Sequence, residues 1–480
     1  MKKNLPSSMN RAFFTVFRPK LYLSIALTCL LNVPLAFAKL PEKTAIKQSY
    51  PDQHTVQLSL SDAKAAVLQQ DQWLQKSQYQ EKALRSKSSA ALALPDPVVN
   101  LSVLNLPTDG FAFDQEAMTQ LKVGIQQDIP QGNSREIENQ RLRTMAKEEP
   151  LLREYRKKQL VLRTTVLWLN AYQAQKSVEL TQEALPLVKK LQDLSEAEYS
   201  SSFSDVTQQD VIQAEIDIAE LSERLIRFKT EKENATAQLG QYLYPIESPT
   251  DLSKDFSNDW HFNFEDIAEQ ESQLASVIKL LSKDKHELLL MLKNHPLFLI
   301  NKQRIAAGNL STDLAKQAYK PKWGLNASYG LRSDSPQGNS RADFFSVGVN
   351  VNLPLFSNTK VDAEVASSIQ STEAMRTDGL LLLKELLSGL TVALSRLDGL
   401  QQRRQIYEQN IIPKLQQQVR SNQSAYASDR GSLSKLVKTK LREVKANITL
   451  LQIRSEQYKT LAEVHYHIST SITPMEKNND

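Results

Sequence analysis

Residues 347–354 read VGVNVNLP and have a counterpart at residues 123–130, which read VGIQQDIP. The two octapeptides are 224 positions apart, since 347 minus 123 is 224. Residues 70–74 match residues 294–298 at the same offset, and residues 209–214 match residues 434–439 at an offset of 225. A nearly constant offset across both halves indicates an internal duplication.

The quoted stretches alternate apolar with small or polar residues, which predicts β-strands. Each second-half run has about nine residues, the length that a tilted strand needs to cross a bilayer. We therefore predict membrane hairpins at residues 97–130 and 322–354. A half-buried sheet of a soluble protein is the alternative. The candidate lipid-facing side chains are Trp323, Leu325, Tyr329, Phe345, Val347, Val349 and Val351.

Each half also contains one helix before its hairpin and two very long helices after it. The predicted helices cover residues 59–92, 134–196 and 205–243, then residues 285–318, 358–421 and 432–469. A helix of about 60 residues is about 90 Å long, far beyond the usual globular length.

Apolar residues recur in steps of three and four along the last helix of each half, from Val211 to Tyr242 and from Val437 through Ala462 to His465. This spacing is typical of coiled-coil packing. The fold class predicted is mainly α with a transmembrane β element, in a duplicated helix–β-hairpin–helix–helix arrangement.

Four strands per chain are too few to close a membrane barrel, which needs at least about eight. An open sheet edge in lipid leaves backbone groups without hydrogen-bond partners, so several copies must share one barrel. Three copies would supply twelve strands, although strand arithmetic alone also allows two or four.

The first 38 residues read as an export signal. Five basic residues precede an apolar stretch that ends in Ala36-Phe37-Ala38, a small-x-small cleavage site. A membrane anchor is the alternative, which Asn32 and Pro34 disfavour. These five charges equal the formal net charge of +5, so the composition does not indicate a nucleic-acid partner. The single cysteine, Cys29, lies in this segment, which excludes thiolate chemistry from the mature chain.

From residue 58 to residue 470 the chain resembles the TolC-like outer-membrane efflux proteins, in particular those that work with resistance-nodulation-division pumps. The resemblance rests on the duplicated plan, on the Val-Gly-x-x-x-[Asp/Asn]-[Ile/Leu]-Pro strand ends, and on three further segments. These are residues 294–297 (NHPL), 207–215 (TQQDVIQAE) and 426–436, which contains GSLSKL.

The resemblance implies a homotrimer with a twelve-stranded β-barrel on a long α-helical coiled-coil tunnel. It also implies a passive channel in the outer membrane of a Gram-negative bacterium, extending into the periplasm. Its partners would be outer-membrane lipid, a periplasmic adaptor and an inner-membrane pump. The heavy-metal branch of the family is one option, and the exported solute, metal ion or drug, stays open.

By the same resemblance, turns at Phe203-Ser204 and Gly431-Ser432 would form the periplasmic tip that contacts the adaptor. Asp210, Lys435 and Lys438 would line the entrance. Many relatives carry acidic residues where Lys435 and Lys438 stand. These lysines are either solvated surface residues or, in three copies, a ring that disfavours cations.

The sequence contains no recognisable catalytic, cofactor or metal motif, so we predict that the protein is not an enzyme. His465 and His467 are two residues apart on a predicted helix and point to different faces. Residues 244–284 form the main irregular stretch, either a girdle around the tunnel or a loose linker, and residues 471–480 form a short tail. A soluble periplasmic coiled-coil scaffold or adaptor is the alternative function, and a surface adhesin is less consistent with paired hairpins.

Overall fold

The computed structural model describes residues 56–200, 207–244, 260–263, 267–282, 284–428 and 430–468. The predicted export signal and the C-terminal tail lie outside these ranges. Within them, the chain is mainly helical with a small β component, as the sequence predicts. No helix in this part of the chain combines the length and the apolar character needed to span a bilayer.

In the first half, a short strand and two helices precede a hairpin, and three helices follow it. These elements are β1 (Val56–Leu58), α1 (Leu60–Gln70), α2 (Gln72–Ala90), β2 (Val98–Leu104), β3 (Gln120–Ile129), α3 (Ser134–Ala146), α4 (Glu148–Tyr199) and α5 (Gln208–Leu243).

The second half has the same order of helices and hairpin. Its elements are β4 (Trp260–Phe262), α6 (Ile267–Ile278), α7 (Lys285–Leu292), α8 (Pro296–Lys316), β5 (Lys322–Leu331), β6 (Phe344–Asn352), α9 (Asn358–Ile406), α10 (Ile412–Ala427) and α11 (Leu433–His467). A π-helical turn at Tyr407–Ile411 joins α9 to α10.

Several helices that the sequence predicts as continuous are interrupted. Asp71 separates α1 from α2 because its side chain accepts a hydrogen bond from the Trp73 N–H and caps α2. Lys147 separates α3 from α4, since Pro150 has no N–H to donate to the Ala146 carbonyl. Pro186, by contrast, lies inside the uninterrupted α4.

The long helices pack together along two apolar clusters. The larger one joins α1, α4, α5, α6, α7, α9 and α11 around fully buried residues such as Trp168, Leu239, Leu390 and Leu397. The smaller one joins α4, α5 and α11 through residues such as Val188, Leu221, Phe228, Val437 and Val444. The predicted apolar stripe of α5 therefore lies at a helix–helix contact.

The C-terminal part of α11 buries a different face of the helix from the one that the sequence predicts. Leu461 and Val464 are buried, whereas His465 is exposed. The physical reason is a change of partner, because Leu461 and Val464 belong to the larger cluster, which contains α6 and α9, whereas Val437 and Val444 belong to the smaller cluster, which does not.

Residues 244–284, predicted as irregular, contain β4 and α6. Strand β4 pairs in parallel with β1, with Trp260 opposite Val56. The Phe262 N–H donates to Gln175 Oε1 over 3.0 Å, which fixes β4 to α4. In α6, Leu274 and Val277 are buried in the larger cluster. The described portion of this segment therefore packs against the long helices.

Candidate channel wall and periplasmic tip

The two hairpins form one antiparallel four-stranded sheet in the order β2-β3-β5-β6. Strands β3 and β5 join the halves of the chain, with Ile125 opposite Ala327 and Val123 opposite Tyr329. Within the described chain, β2 and β6 are edge strands with a partner on one side only. An edge strand presents a row of backbone groups to a further strand.

One face of this sheet is apolar and uncovered. Residues opposite each other in an antiparallel pair share a face, and the register places the odd-numbered residues of all four strands together. Phe345 and Val347 are each 71% exposed. The other exposed apolar residues of this face are Val99, Leu101, Val103, Val123, Ile125, Trp323, Leu325, Tyr329, Leu331, Val349 and Val351.

The opposite face is small and polar. Asn100, Gly124, Ser328 and Ser346 form one row across all four strands. Near the helix end of the sheet, the Lys322 ammonium lies 2.7 Å from a carboxylate oxygen of Asp128. A sheet with one apolar and one polar face suits a wall between lipid and water.

At the end of the sheet away from the long helices, two arginines of the second hairpin's loop form hydrogen bonds with the first hairpin's loop. Arg332 Nη1 donates to the Ala117 carbonyl over 3.1 Å. Arg341 Nη1 donates to the carbonyls of Asp114 and Glu116, each over 3.2 Å. The two hairpins are thereby held to each other beyond their strand pairing.

The opposite end of the long helices contains the predicted tip. Phe203 and Ser204 lie outside the described residues, and so does the side chain of Asp210. Gly431 and Ser432 form the turn between α10 and α11, where the Arg430 N–H donates to the Ala425 carbonyl over 2.9 Å. A Cβ at Gly431 would lie 2.9 Å from Ala425 Cβ and 3.0 Å from the Tyr426 nitrogen, so the turn has no room for a side chain.

Lys435 and Lys438 are both exposed at the start of α11. Arg442 and Lys445 continue the same spacing of three and four residues and are also exposed. These four cations share one face of the helix, about 15 Å long at 1.5 Å per residue. Among the ion pairs of the described chain, none involves these four side chains. Across a shallow groove, α5 presents Asp217, Glu220 and Arg224.

A second apolar stripe is exposed on the first-half helices. Ile212, Ile216 and Ile226 of α5 are exposed, as are Leu187 and Leu194 of α4. Their spacing follows the heptad pattern but falls outside the two buried clusters. The apolar stripe that the sequence predicts on α5 runs through buried residues such as Leu221 and Phe228 and does not include this one, although Ile212 and Ile226 are 14 residues apart, a multiple of the heptad.

His295, part of the NHPL segment, is fully buried. Its Nδ1 accepts from the Leu297 N–H over 3.3 Å, and its Nε2 donates to the Tyr466 carbonyl over 3.1 Å. Burial and the nearby charge of Lys158 lower the pKa of His295 to about 4. The residue is therefore a neutral N-cap that ties α8 to the end of α11.

His465 and His467 lie in the last turn of α11. In the described part of the chain, no three His, Cys, Asp or Glu side chains are arranged to hold a metal ion.

The comparisons with known proteins agree with this architecture. The fold is that of outer-membrane channels. The structure matches CmeC of Campylobacter jejuni with a TM-score of 0.65 and 13% identity, covering 85% of each chain. It matches the open state of MtrE of Neisseria gonorrhoeae with a TM-score of 0.64 and 13% identity, covering 85% of this chain and 88% of that one.

VceC of Vibrio cholerae matches with a TM-score of 0.61 and 14% identity, covering 85% of this chain and 95% of that one. Residues 289–465 match the family model described as outer membrane efflux protein. This match confirms the resemblance to TolC-like outer-membrane efflux proteins. No curated protein sequence matches the chain.

Proposed function

We propose that the protein is a passive outer-membrane channel subunit of a tripartite efflux system in a Gram-negative bacterium. The observation that carries the proposal is the four-stranded sheet, whose apolar face is exposed and whose edges β2 and β6 lack a second partner in the described chain. In water such a face is unfavourable, whereas in a bilayer it meets acyl chains.

Three copies of the chain would close the barrel edge to edge, with β2 of one copy beside β6 of the next. Twelve strands are within the range of known membrane barrels. The duplicated plan accounts for the two hairpins that each chain supplies. The exposed stripes of α4 and α5 would face neighbouring subunits, and the long helices would form the periplasmic tunnel.

The substrates would pass from an inner-membrane pump through a periplasmic adaptor into this tunnel. The support for these partners is the family match together with the likeness to CmeC and MtrE. We assign adaptor contact to the tip turns at Phe203-Ser204 and Gly431-Ser432, and entrance lining to Asp210, Lys435 and Lys438.

The test is to purify the protein from outer membranes in detergent and to record currents in planar bilayers. A channel subunit gives discrete conductance steps and stays in the outer-membrane fraction after washing with high salt. A soluble periplasmic scaffold, the alternative function, would be released without detergent and would carry no current.

The entrance assignment has its own test. Lys435→Glu combined with Lys438→Glu shifts the reversal potential in a salt gradient toward cation preference if the two lysines line the pathway. Lys76→Glu combined with Lys87→Glu makes the same charge change on α2, which leads into the sheet, and serves as the control. An unchanged reversal potential in the tip variant would contradict the assignment.

A further inference from the structure

The helices and strands around the first hairpin each begin 224 positions before their counterparts in the second half. The starting residues are Gln72 and Pro296 for α2 and α8, Val98 and Lys322 for β2 and β5, Gln120 and Phe344 for β3 and β6, and Ser134 and Asn358 for α3 and α9. Adding or subtracting 224 therefore converts a position in one half of the chain into the corresponding position in the other half.

Where the strands of the sheet continue into helices, the two halves of the chain meet in a contact that we name the internal joint. Gly132 and Asn133, between β3 and α3, lie on one side of it, and Gln317 and Lys320, between α8 and β5, lie on the other. The Asn133 N–H donates to Gln317 Oε1 over 3.1 Å. A Cβ at Gly132 would collide with Gln317 Oε1 and Lys320 Cδ. The glycine thus leaves room for two long side chains from the other half.

The corresponding turn of the second half, between β6 and α9, carries a large apolar side chain where the first half has this glycine. Phe356 occupies the position of Gly132 and is 100% exposed, and the preceding Leu355 is 69% exposed. The angle φ is +48° at Gly132 and negative at Phe356, so the two turns correspond in position but not in backbone conformation. Burial of an exposed phenylalanine ring against a partner is favourable.

The corresponding partner surface is the segment between α2 and β2, residues 92–96, which we name the seat. Ala93 and Asp96 take the positions of the two long side chains of the internal joint and are both shorter. Leu92 and Leu94 beside them are 41% and 46% exposed. Large and small residues are therefore exchanged. The internal joint sets a glycine against two long side chains, whereas Phe356 and the seat set a phenylalanine against two short ones.

Phe356 and the seat lie at opposite edges of the sheet. Strands β2 and β6 are separated by three strand spacings, about 14 Å, so a further copy of the chain must bring the two surfaces together. If β6 pairs with β2 of the next copy as β3 pairs with β5, Leu353 lies opposite Val99. The same register places Val351 opposite Leu101. All four are exposed apolar residues, so this register continues the apolar face from one copy to the next.

We propose that the contact between subunits repeats the internal joint: Phe356 of each copy packs into the seat of the next copy, with Val351 opposite Leu101. The partner is a second copy of this chain because the internal joint supplies the register and the exchanged residue sizes supply the fit. The contact also gives the assembly a direction, since a β6 edge fits a β2 edge and not another β6 edge. This inference rests on the proposed channel function.

Disulfide cross-linking tests the register. Val351→Cys combined with Leu101→Cys places two thiols of neighbouring copies opposite each other, within disulfide reach. Val349→Cys combined with Leu101→Cys is the matched control, in which the two positions are shifted by two residues and about 7–8 Å apart. The native cysteine, Cys29, is replaced by serine in both variants. After oxidation of outer membranes with copper–phenanthroline, we expect covalent dimers and trimers from the first pair in about tenfold excess over the control.

A truncation of the aromatic ring tests the seat. Phe356→Ala should raise the protein concentration at which half of the detergent-solubilised chains are assembled by about tenfold, because each contact loses a buried ring. Phe111→Ala is the matched control, since Phe111 is 68% exposed in the loop at the other end of the sheet and should leave assembly unchanged. Native mass spectrometry over a dilution series measures both.

Equal cross-linking of the two cysteine pairs, stronger cross-linking of the control, or none in either would overturn the register. Wild-type assembly of Phe356→Ala, or an equal effect of Phe111→Ala, would overturn the seat. Loss of helical circular dichroism in Phe356→Ala monomers would also overturn it, because a side chain fully exposed in the single chain does not stabilise that chain. A wild type that assembles and conducts ions keeps the channel function through all these failures. A monomeric wild type without current would refute that function and the joint with it.

Discussion

At the scale of single residues, His295 of the NHPL segment caps α8 and connects it to the end of α11. The sequence identifies the NHPL segment, which contains His295, only through family resemblance. The structure adds that both ring nitrogens are hydrogen-bonded and that the ring packs edge-on against Tyr466 with centroids 5.4 Å apart. Because the Tyr466 carbonyl lies on α11, 171 positions away, sequence spacing could not reveal this partner.

This burial predicts a dependence of stability on pH. The unfolded chain protonates His295 near its ordinary pKa of 6.5, whereas the folded protein does so only near 4. Between pH 6.5 and pH 4 the unfolded state binds more protons than the folded state. The stabilisation that neutral His295 contributes is therefore complete above pH 6.5 and is lost as the pH falls toward 4. The free energy of unfolding decreases by about 3 kcal/mol in total.

His295→Asn should flatten that dependence, since asparagine can cap α8 but does not titrate. The measurement is the guanidinium unfolding midpoint of the detergent-solubilised protein at several pH values across the window. If the variant keeps the full wild-type slope, His295 is not the group responsible.

Gly431 is the second residue whose identity the structure explains. The close approach of Ala425 leaves no space for a Cβ, so Gly431→Ala should destabilise the protein by about 1–3 kcal/mol. Gly399→Ala is the control, because nothing lies within 4 Å of that position and alanine favours a helix interior by about 0.5–1 kcal/mol. Opposite shifts in the unfolding midpoint are expected, and equal shifts would contradict the steric argument.

At the scale of elements, the alternation of side chains predicted the strands because a strand has a period of two residues. The structure places all seven candidate lipid-facing side chains on one exposed face. Helix interruptions were harder to predict. Pro150 lies in the first turn of α4, just after the break at Lys147, whereas α4 continues without a break through Pro186.

The two faces of β6 predict opposite effects of a charge. Val347→Lys places an ammonium on the apolar face and should cost about 2–4 kcal/mol if that face meets the bilayer interior. Ser346→Lys introduces the same side chain on the polar face and should be tolerated. The measurement is the amount of assembled protein in the outer membrane, and similar losses for both variants would argue against lipid contact.

At the scale of the whole molecule, the exposed stripe of α5 predicts that subunits meet there. Ile212→Glu combined with Ile226→Glu would bury charge at that contact and should dissociate the assembly. Lys229→Glu combined with Gln238→Glu adds carboxylates to the same helix outside the stripe. Native mass spectrometry in detergent should show three chains for the wild type and the control, and single chains for the stripe variant. An intact assembly in the stripe variant would show that subunits do not meet there.

Strand alternation and heptad spacing are properties of neighbouring residues, so the sequence alone predicted the hairpins and the long helices, although not the breaks at Asp71, Lys147 and Tyr407–Ile411. It also predicted the resemblance to the TolC-like outer-membrane efflux proteins, through short segments that stand in a fixed order, and the family model matches residues 289–465. Tertiary structure alone decided that β3 pairs with β5, that β4 and α6 pack on the long helices, and that Glu271 reaches Arg404. The Phe262–Gln175 bond joins residues 87 positions apart and the Glu271–Arg404 bond joins residues 133 positions apart, and no local pattern specifies which distant surfaces meet.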